Sequence, residues 1–134
     1  MDIVRGELMA VRSSEDIVRV RQVVRQWAIE LRFSLVDQTK VVTAASELAR
    51  NTLDHGGGGT ASLEIVKAGA RQGLRLRFED KGPGIADLAL AMTEGYSTGG
   101  GLGLGLSGAR KLSNDFDATS TVGQGTRVTI VRWK

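Results

Sequence analysis

The sequence has no cysteine in its 134 residues. Disulfides and thiolate metal sites are thereby excluded, and no redox compartment can be argued from thiols. Aromatic residues make up only 4%, so the core must be built from Val, Leu, Ile and Ala. There is a single proline, Pro83. No apolar run reaches membrane-spanning length. The first 16 residues carry charges where a signal peptide would need an apolar block, so a cytoplasmic protein without a membrane role is expected. There is no internal repeat and no linker, and the length suits one compact domain, residues 1–134.

What is present is ordinary in bulk and unusual in detail. Hydrophobic residues are 41% and charged residues 25% of the chain, the proportions of a soluble globular protein. The formal charge of +3 and a pI near 9.7 favour acidic partners, whether nucleotide, nucleic acid or protein. The 18 glycines cluster at 56–59, 82–84 and 99–108, which marks loops.

Residues 3–11 read as a strand. Ser13-Ser14-Glu15-Asp16 opens a helix, and Ile17, Val20, Val24, Trp27, Ala28 and Leu31 follow at helical spacing. A second helix, capped by Ser34 or Asp37, buries Val41, Val42, Ala45, Leu48, Ala49 and Leu53 and must stop at Gly56. Residues 60–68 and 73–80 alternate as a hairpin around Gly69-Ala70-Arg71-Gln72. A short helix near 86–93, an aperiodic and therefore mobile stretch from Thr93 to Gly101, and a third long helix over 103–114 come next. A final strand pair, 115–122 and 126–133, turns at Gly123-Gln124-Gly125. The order β-α-α-β-β-α-β-β predicts an α+β fold, a two-layer α/β sandwich with a mixed sheet covered on one face by helices.

Four segments carry candidate chemistry. On the second helix, Glu47 and Asn51 lie four residues apart and share a face. A carboxylate beside a carboxamide offers a base next to a Mg²⁺ ligand, although a solvated polar face is the commoner meaning of such a pair. Glu79-Asp80-Lys81-Gly82-Pro83-Gly84-Ile85 follows a strand. Asp80 can accept a hydrogen bond from an exocyclic amine, and Gly82 and Gly84 let the backbone approach a flat base; a tight turn without ligand is the alternative. Gly99-Gly100-Gly101-Leu102-Gly103-Leu104-Gly105-Leu106 opens a helix, where free amides make an anion site, or else forms a hinge. It matches neither a Walker A loop nor a Rossmann fingerprint. Gly123-Gln124-Gly125-Thr126 is a turn whose Thr126 hydroxyl can complete a polar contact, or simply begin a strand.

Glu-x-x-x-Asn, Asp-x-Gly-x-Gly, Gly-x-Gly-x-Gly and Gly-x-Gly-Thr, in this order, resemble the four boxes of the GHKL superfamily of Bergerat-fold ATPases. The chain has room for the nucleotide-binding domain alone, with no phospho-accepting His helix. Val36-Asp37-Gln38-Thr39-Lys40, Ser46-Glu47-Leu48-Ala49-Arg50-Asn51, Glu94-Gly95-Tyr96-Ser97-Thr98 and the ending Ile130-Val131-Arg132-Trp133-Lys134 look like the RsbT-type serine/threonine kinases. The resemblance covers essentially the whole chain.

This resemblance implies ATP and Mg²⁺ as cofactors. Glu47 would be the catalytic base and Asn51 the Mg²⁺ ligand. Asp54, His55, Asp80, Gly82, Gly84, Ile85 and Thr126 would line the nucleotide, together with Gly99, Gly100, Gly101, Leu102, Gly103, Leu104, Gly105 and Leu106 around the phosphates. Residues 86–101 would form a lid. It also implies an RsbS-like STAS-domain antagonist as substrate, a stressosome of the RsbR/RsbS type, and an RsbU-type PP2C phosphatase activated after release. Two departures stand out. Gly101 sits where related anti-sigma kinases often have a basic residue, leaving Mg²⁺, backbone amides, Arg110 or Lys111 to supply charge. The run Gly56-Gly57-Gly58-Gly59 after His55 is expected to loosen the helix end that carries Asn51.

Two further functions compete: an anti-sigma factor kinase that binds a sigma factor directly, and a nucleotide-gated phosphatase activator with little kinase activity. A nucleic-acid-binding role is disfavoured by few aromatics and dispersed arginines. His55 is either a phosphate contact or a cation at a helix C-terminus. Arg19, Arg21 and Arg25 are read as a solvated helix face, with an acidic partner as the alternative. Trp27 reads as core, and Trp133 as an edge cover or an interface residue.

Overall fold

A computed structural model describes residues 1–92 and 105–134. Strand β1 (Asp2–Val11) leads into helices α1 (Ser14–Glu30) and α2 (Leu35–Asp54), then strands β2 (Gly59–Ala68) and β3 (Arg71–Asp80). A short helix α3 (Leu88–Ala91), helix α4 (Gly105–Lys111) and strands β4 (Asp115–Thr121) and β5 (Gly125–Trp133) complete the chain. The expected lid overlaps α3, while its residues 93–101 lie outside the described residues.

Both long helices start at a serine. Ser13 Oγ accepts from the Asp16 N–H and Ser34 Oγ accepts from the Asp37 N–H, each satisfying an amide that the helix leaves unpaired. The cap of α2 is thus Ser34 and not Asp37. α4 is shorter than the periodicity suggests. After Lys111 the Ser113 hydroxyl turns back to the Ala109 carbonyl and the Asn114 N–H donates to Val131 of β5.

The sheet runs β1-β2-β3-β5-β4. Every pairing is antiparallel, which corrects the expected mixed sheet. The reason is in the connections. Two helices between β1 and β2 return the chain to the end it left, so Val11 pairs with Gly59. The other neighbours β2–β3 and β4–β5 are hairpins, and hairpins are antiparallel by construction.

One face of the sheet carries the core. Leu63 and Ile65 of β2, Leu74, Leu76 and Phe78 of β3, and Val128 and Ile130 of β5 pack with Val20, Val24, Trp27, Leu48 and Ala49 from the helices. These strand residues are spaced by two and Val20, Val24 and Trp27 of α1 by four and three, the two periods that place a stripe on one side. The opposite face carries ion pairs such as Arg75–Glu64 and Arg127–Glu79. Trp133 belongs to the sheet margin, its indole N–H donating to Asp115 and Arg71 stacked on its ring.

Two polar fastenings tie the layers together. Arg5 lies over the buried Trp27 ring and pairs with Glu30, joining β1 to α1. Arg132 of β5 reaches the Asp37 carboxylate in the first turn of α2 at 2.7 Å and the Leu112 carbonyl beyond α4 at 3.4 Å. Its hydrogen bond holds the Asp37 carboxyl below the ordinary carboxylate value.

Two outcomes follow. Trp27→Ala should lower unfolding free energy by about 3–5 kcal/mol, read by urea denaturation; a loss below about 1 kcal/mol would mean the ring is not the centre of the α1 packing. Asp37 has its folded pKa depressed, so its contribution is present above the unfolded value near 3.9 and disappears as pH falls through the lower folded value. Asp37→Asn should therefore flatten the acid limb of the stability curve, measured as urea midpoint against pH from about 6 downwards.

Candidate functional site

The hydrogen-bond register aligns one row of residues across all five strands. Val11 pairs with Gly59, Gly59 with Asp80, Asp80 with Thr126, and Thr126 with Ser120. Because side chains alternate along a strand, Asp80 continues the inward series Leu74, Leu76, Phe78, and Thr126 continues the series Ile130, Val128. The same patterning that fills the core delivers a carboxylate and a hydroxyl at the end of the layer nearest the C-terminus of α2.

The end of α2 presses on this row. A Cβ added at Gly56 would lie 2.2 Å from Asp80 Cγ, and one at Gly82 would lie 2.7 Å from Gly56 Cα. Both positions therefore require glycine, and the glycine run brings the helix end against the Asp80 turn. The expectation that this run merely loosens the helix is replaced by that steric role. The first helical residue of α4, Gly105, faces Asn51: a Cβ there would stand 3.4 Å from the carboxamide Nδ2. Asn51 and the end of the third glycine segment, where α4 begins, thus meet.

The turn after β3 is organised from both sides. Asp80 Oδ1 accepts the Gly82 N–H at 2.9 Å, while Oδ2 has no partner among the described residues. His55 Nε2 approaches the Gly84 carbonyl at 3.3 Å, so His55 links the α2 end to this turn. From the other side, Ser120 Oγ accepts the Ile85 N–H at 2.7 Å and bonds the Thr126 hydroxyl at 2.9 Å, and it lies 3.2 Å from the Gly125 carbonyl.

Ser120 was not singled out from the sequence. The signal was available in the hairpin register, since a turn over residues 122–124 sets Ser120 opposite Thr126.

The remaining expected residues are placed unevenly. Glu47 is half-buried one turn before Asn51 on α2. Asp54 is exposed and pairs loosely with Arg50 at 3.7 Å. Leu106 is buried in the core, so any part in phosphate contact falls to its backbone. Gly99, Gly100, Gly101, Leu102, Gly103 and Leu104 lie outside the described residues.

The donor set fits an adenine nucleotide. A half-buried carboxylate keeps one oxygen open beside a paired hydroxyl, and the turn around them is pressed flat by glycine contacts. It also fits a hard divalent ion held through few protein oxygens, because Mg²⁺ keeps several waters and takes the rest of its shell from phosphates. Among the described residues there is no cluster of three or more His, Asp or Glu side chains for a metal, which leaves Asn51 as the candidate ligand.

Comparison with known proteins bears on this site. Residues 36–134 match the family model "Histidine kinase-, DNA gyrase B-, and HSP90-like ATPase". The serine/threonine-protein kinase RsbT of Bacillus subtilis (strain 168) is 44% identical over 118 residues, covering 88% of this chain and 89% of that protein. The crystal structure of the RsbU and RsbW domains of a Mycobacterium tuberculosis protein superposes with a TM-score of 0.66 at 19% identity, covering 98% of this chain and 33% of that one. At that identity the likeness is one of fold. This chain spans about a third of the solved polypeptide.

The Gly56–Asp80 contact generates a direct test. Gly56→Ala should displace the Asp80 carboxylate and weaken binding of a fluorescent adenine nucleotide at least tenfold, the scale of one lost charge-assisted hydrogen bond. Unchanged affinity would remove Asp80 from base recognition.

Proposed function

The chain belongs to the histidine kinase-, DNA gyrase B- and HSP90-like ATPase family, and on that premise we propose that this serine/threonine kinase phosphorylates an STAS-domain antagonist and then activates a PP2C phosphatase. One observation carries the reading: Asn51, Gly56, Asp80, Gly105, Ser120 and Thr126, spread over most of the sequence, meet at one end of the sandwich. The likeness to an RsbT kinase at 44% identity supports partner switching as the setting. The order of events is that implied by the RsbT-type resemblance, with phosphorylation of an RsbS-like protein, release from a stressosome-type complex, and binding of an RsbU-type phosphatase.

ATP supplies the phosphoryl group when bound. Phosphoryl transfer needs mainly positioning and charge neutralisation, and each residue has a share in that. Asp80 Oδ2 accepts from the adenine amine while Oδ1 stays with Gly82. Thr126, held by Ser120, completes the polar edge. Asn51 would hold Mg²⁺ through its carboxamide oxygen, and the backbone amides at the start of α4 would meet the phosphates. Glu47 orients the acceptor hydroxyl and takes its proton on a carboxylate oxygen. It sits on the same α2 face as Asn51, one turn away, so acceptor and metal are set by one rigid element. His55 keeps the Asp80 turn docked on that element.

The measurement that checks this uses labelled ATP, Mg²⁺ and a purified STAS-domain protein. Glu47→Ala should reduce transfer by about 10²–10⁴-fold while nucleotide affinity stays at the wild-type level. Undiminished transfer would remove Glu47 as the base. Asp80→Asn should lose nucleotide affinity instead. Activation of the phosphatase is read separately, by adding the released kinase to an RsbU-type PP2C enzyme and following dephosphorylation of its substrate.

A further inference from the structure

A second surface lies on the helical layer, on residues that the nucleotide site does not use. Between α1 and α2 there is a depression of about 250 Å³ lined by Val18, Arg21, Gln22, Arg25 and Val42. Its rim follows one stripe of α1, since Val18, Gln22, Arg25 and Ile29 recur at spacings of four, three and four, which places them on one face. Val18 and Ile29 are 47% and 54% exposed, unusual for β-branched residues on a helix that already buries another face.

The charges on this stripe are unbalanced. Several arginines elsewhere are matched to a carboxylate: Arg5 with Glu30, Arg19 with Asp16, Arg75 with Glu64, Arg127 with Glu79 and Arg132 with Asp37. The guanidinium groups of Arg21, Arg25 and Arg32 have no hydrogen bond or ion pair among the described residues. Arg25 is half-buried without a partner, which costs solvation that an incoming carboxylate would restore.

Arg32 adds an independent sign. It closes α1 at φ 63, where its N–H donates to the Ile29 carbonyl and the Phe33 N–H donates to Ala28. This is a Schellman cap, whose left-handed residue is ordinarily glycine. An arginine there is strained by the backbone it occupies, and it is exposed just past the end of α1.

We propose that the groove between α1 and α2 docks an amphipathic helix of a partner protein, with carboxylates flanking its apolar stripe. The apolar stripe seats on Val18, Val42 and Ile29, and its carboxylates meet Arg21, Arg25 and Arg32. The groove suits a helix because two packed helices leave a furrow that a third fills by ridges and grooves. The run from Val18 to Ile29 is about 16 Å, three helical turns. Charge complementarity selects the sign of the partner and apolar contact anchors it. Docking here depends on none of Glu47, Asn51, Asp80 or Thr126, so it stands or falls separately from phosphoryl transfer.

The test uses the full chain and a fluorescein-labelled helical peptide of about five turns, with Leu at successive i, i+4 and i+7 positions and Glu on both flanks. Binding by anisotropy is expected, weakened about tenfold or more by Arg21→Glu with Arg25→Glu, with ATP binding and melting temperature unchanged. The same peptide with Lys for each Glu should not bind. Arg32→Gly separates structure from recognition: it should raise the melting temperature and still weaken the peptide. Equal binding of Glu and Lys peptides, full affinity in the double variant, or a self-dimer seen by sedimentation and abolished by the same substitutions would each overturn the proposal. So would equal preference for a short DNA duplex.

Discussion

Register is the constraint on which the rest depends. In an antiparallel sheet a slip of one residue turns every side chain to the other face. Here the burial of Leu74, Leu76 and Phe78 on β3 against Val128 and Ile130 on β5 leaves no freedom to slip. Asp80 and Thr126 are the next inward positions on those two strands, and Ser120 and Gly59 are their neighbours in the same row. The apolar core therefore does not simply support a site built elsewhere. It fixes, by continuation of its own alternation, which polar groups stand at the open end of the layer.

Helix α2 gives that row its counterpart. Its 20 residues make a rod of about 30 Å, seated in two different ways. At its start Ser34 caps it and Asp37 is gripped by Arg132. At its end the packing is backbone to side chain, Gly56 against Asp80, with His55 reaching Gly84. Glu47 and Asn51 ride between these anchorages, so their placement follows from how both ends are held. Arg132 Nε is buried without a partner, yet the same guanidinium bonds an α2 carboxylate and a carbonyl past α4, joining three elements at one point.

Much of this was legible in the sequence. Strand alternation, the serine caps and the glycine clusters located nearly every element, and the four glycine and acidic segments pointed to the end of the layer where Asn51, Gly56, Asp80 and Thr126 stand. Four features were not legible, each for a physical reason. Parallel or antiparallel pairing depends on how a connection returns in space, and the two helices read between β1 and β2 do not themselves state at which end they bring the chain back. The role of Ser120 depends on hairpin register, which one residue more or less in the turn would change. The necessity of Gly56 arises from a contact with Asp80, a residue 24 positions later, and composition alone made the glycine run look like slack. The cap of α1 was similarly hidden, since Arg32 occupies a left-handed position that sequence rules assign to glycine.

The sheet order has a consequence for how such a protein can change over time. β3 and β5 are joined directly in the sheet, while the described residues between Asp80 and Asp115 form no strand, and the chain re-enters the sheet as β4. For a flexible connection, doubling the length adds only about 0.6 kcal/mol of closure entropy. The strands on either side are fixed by their neighbours and not by that connection. Outside the Asp80 turn and α4, whose Leu106 and Ala109 belong to the core, added length in this connection therefore carries little closure cost. A connection whose length is cheap to change thus opens on the helix that faces Asn51, so descendants can diverge in kinetic behaviour while the scaffold stays the same.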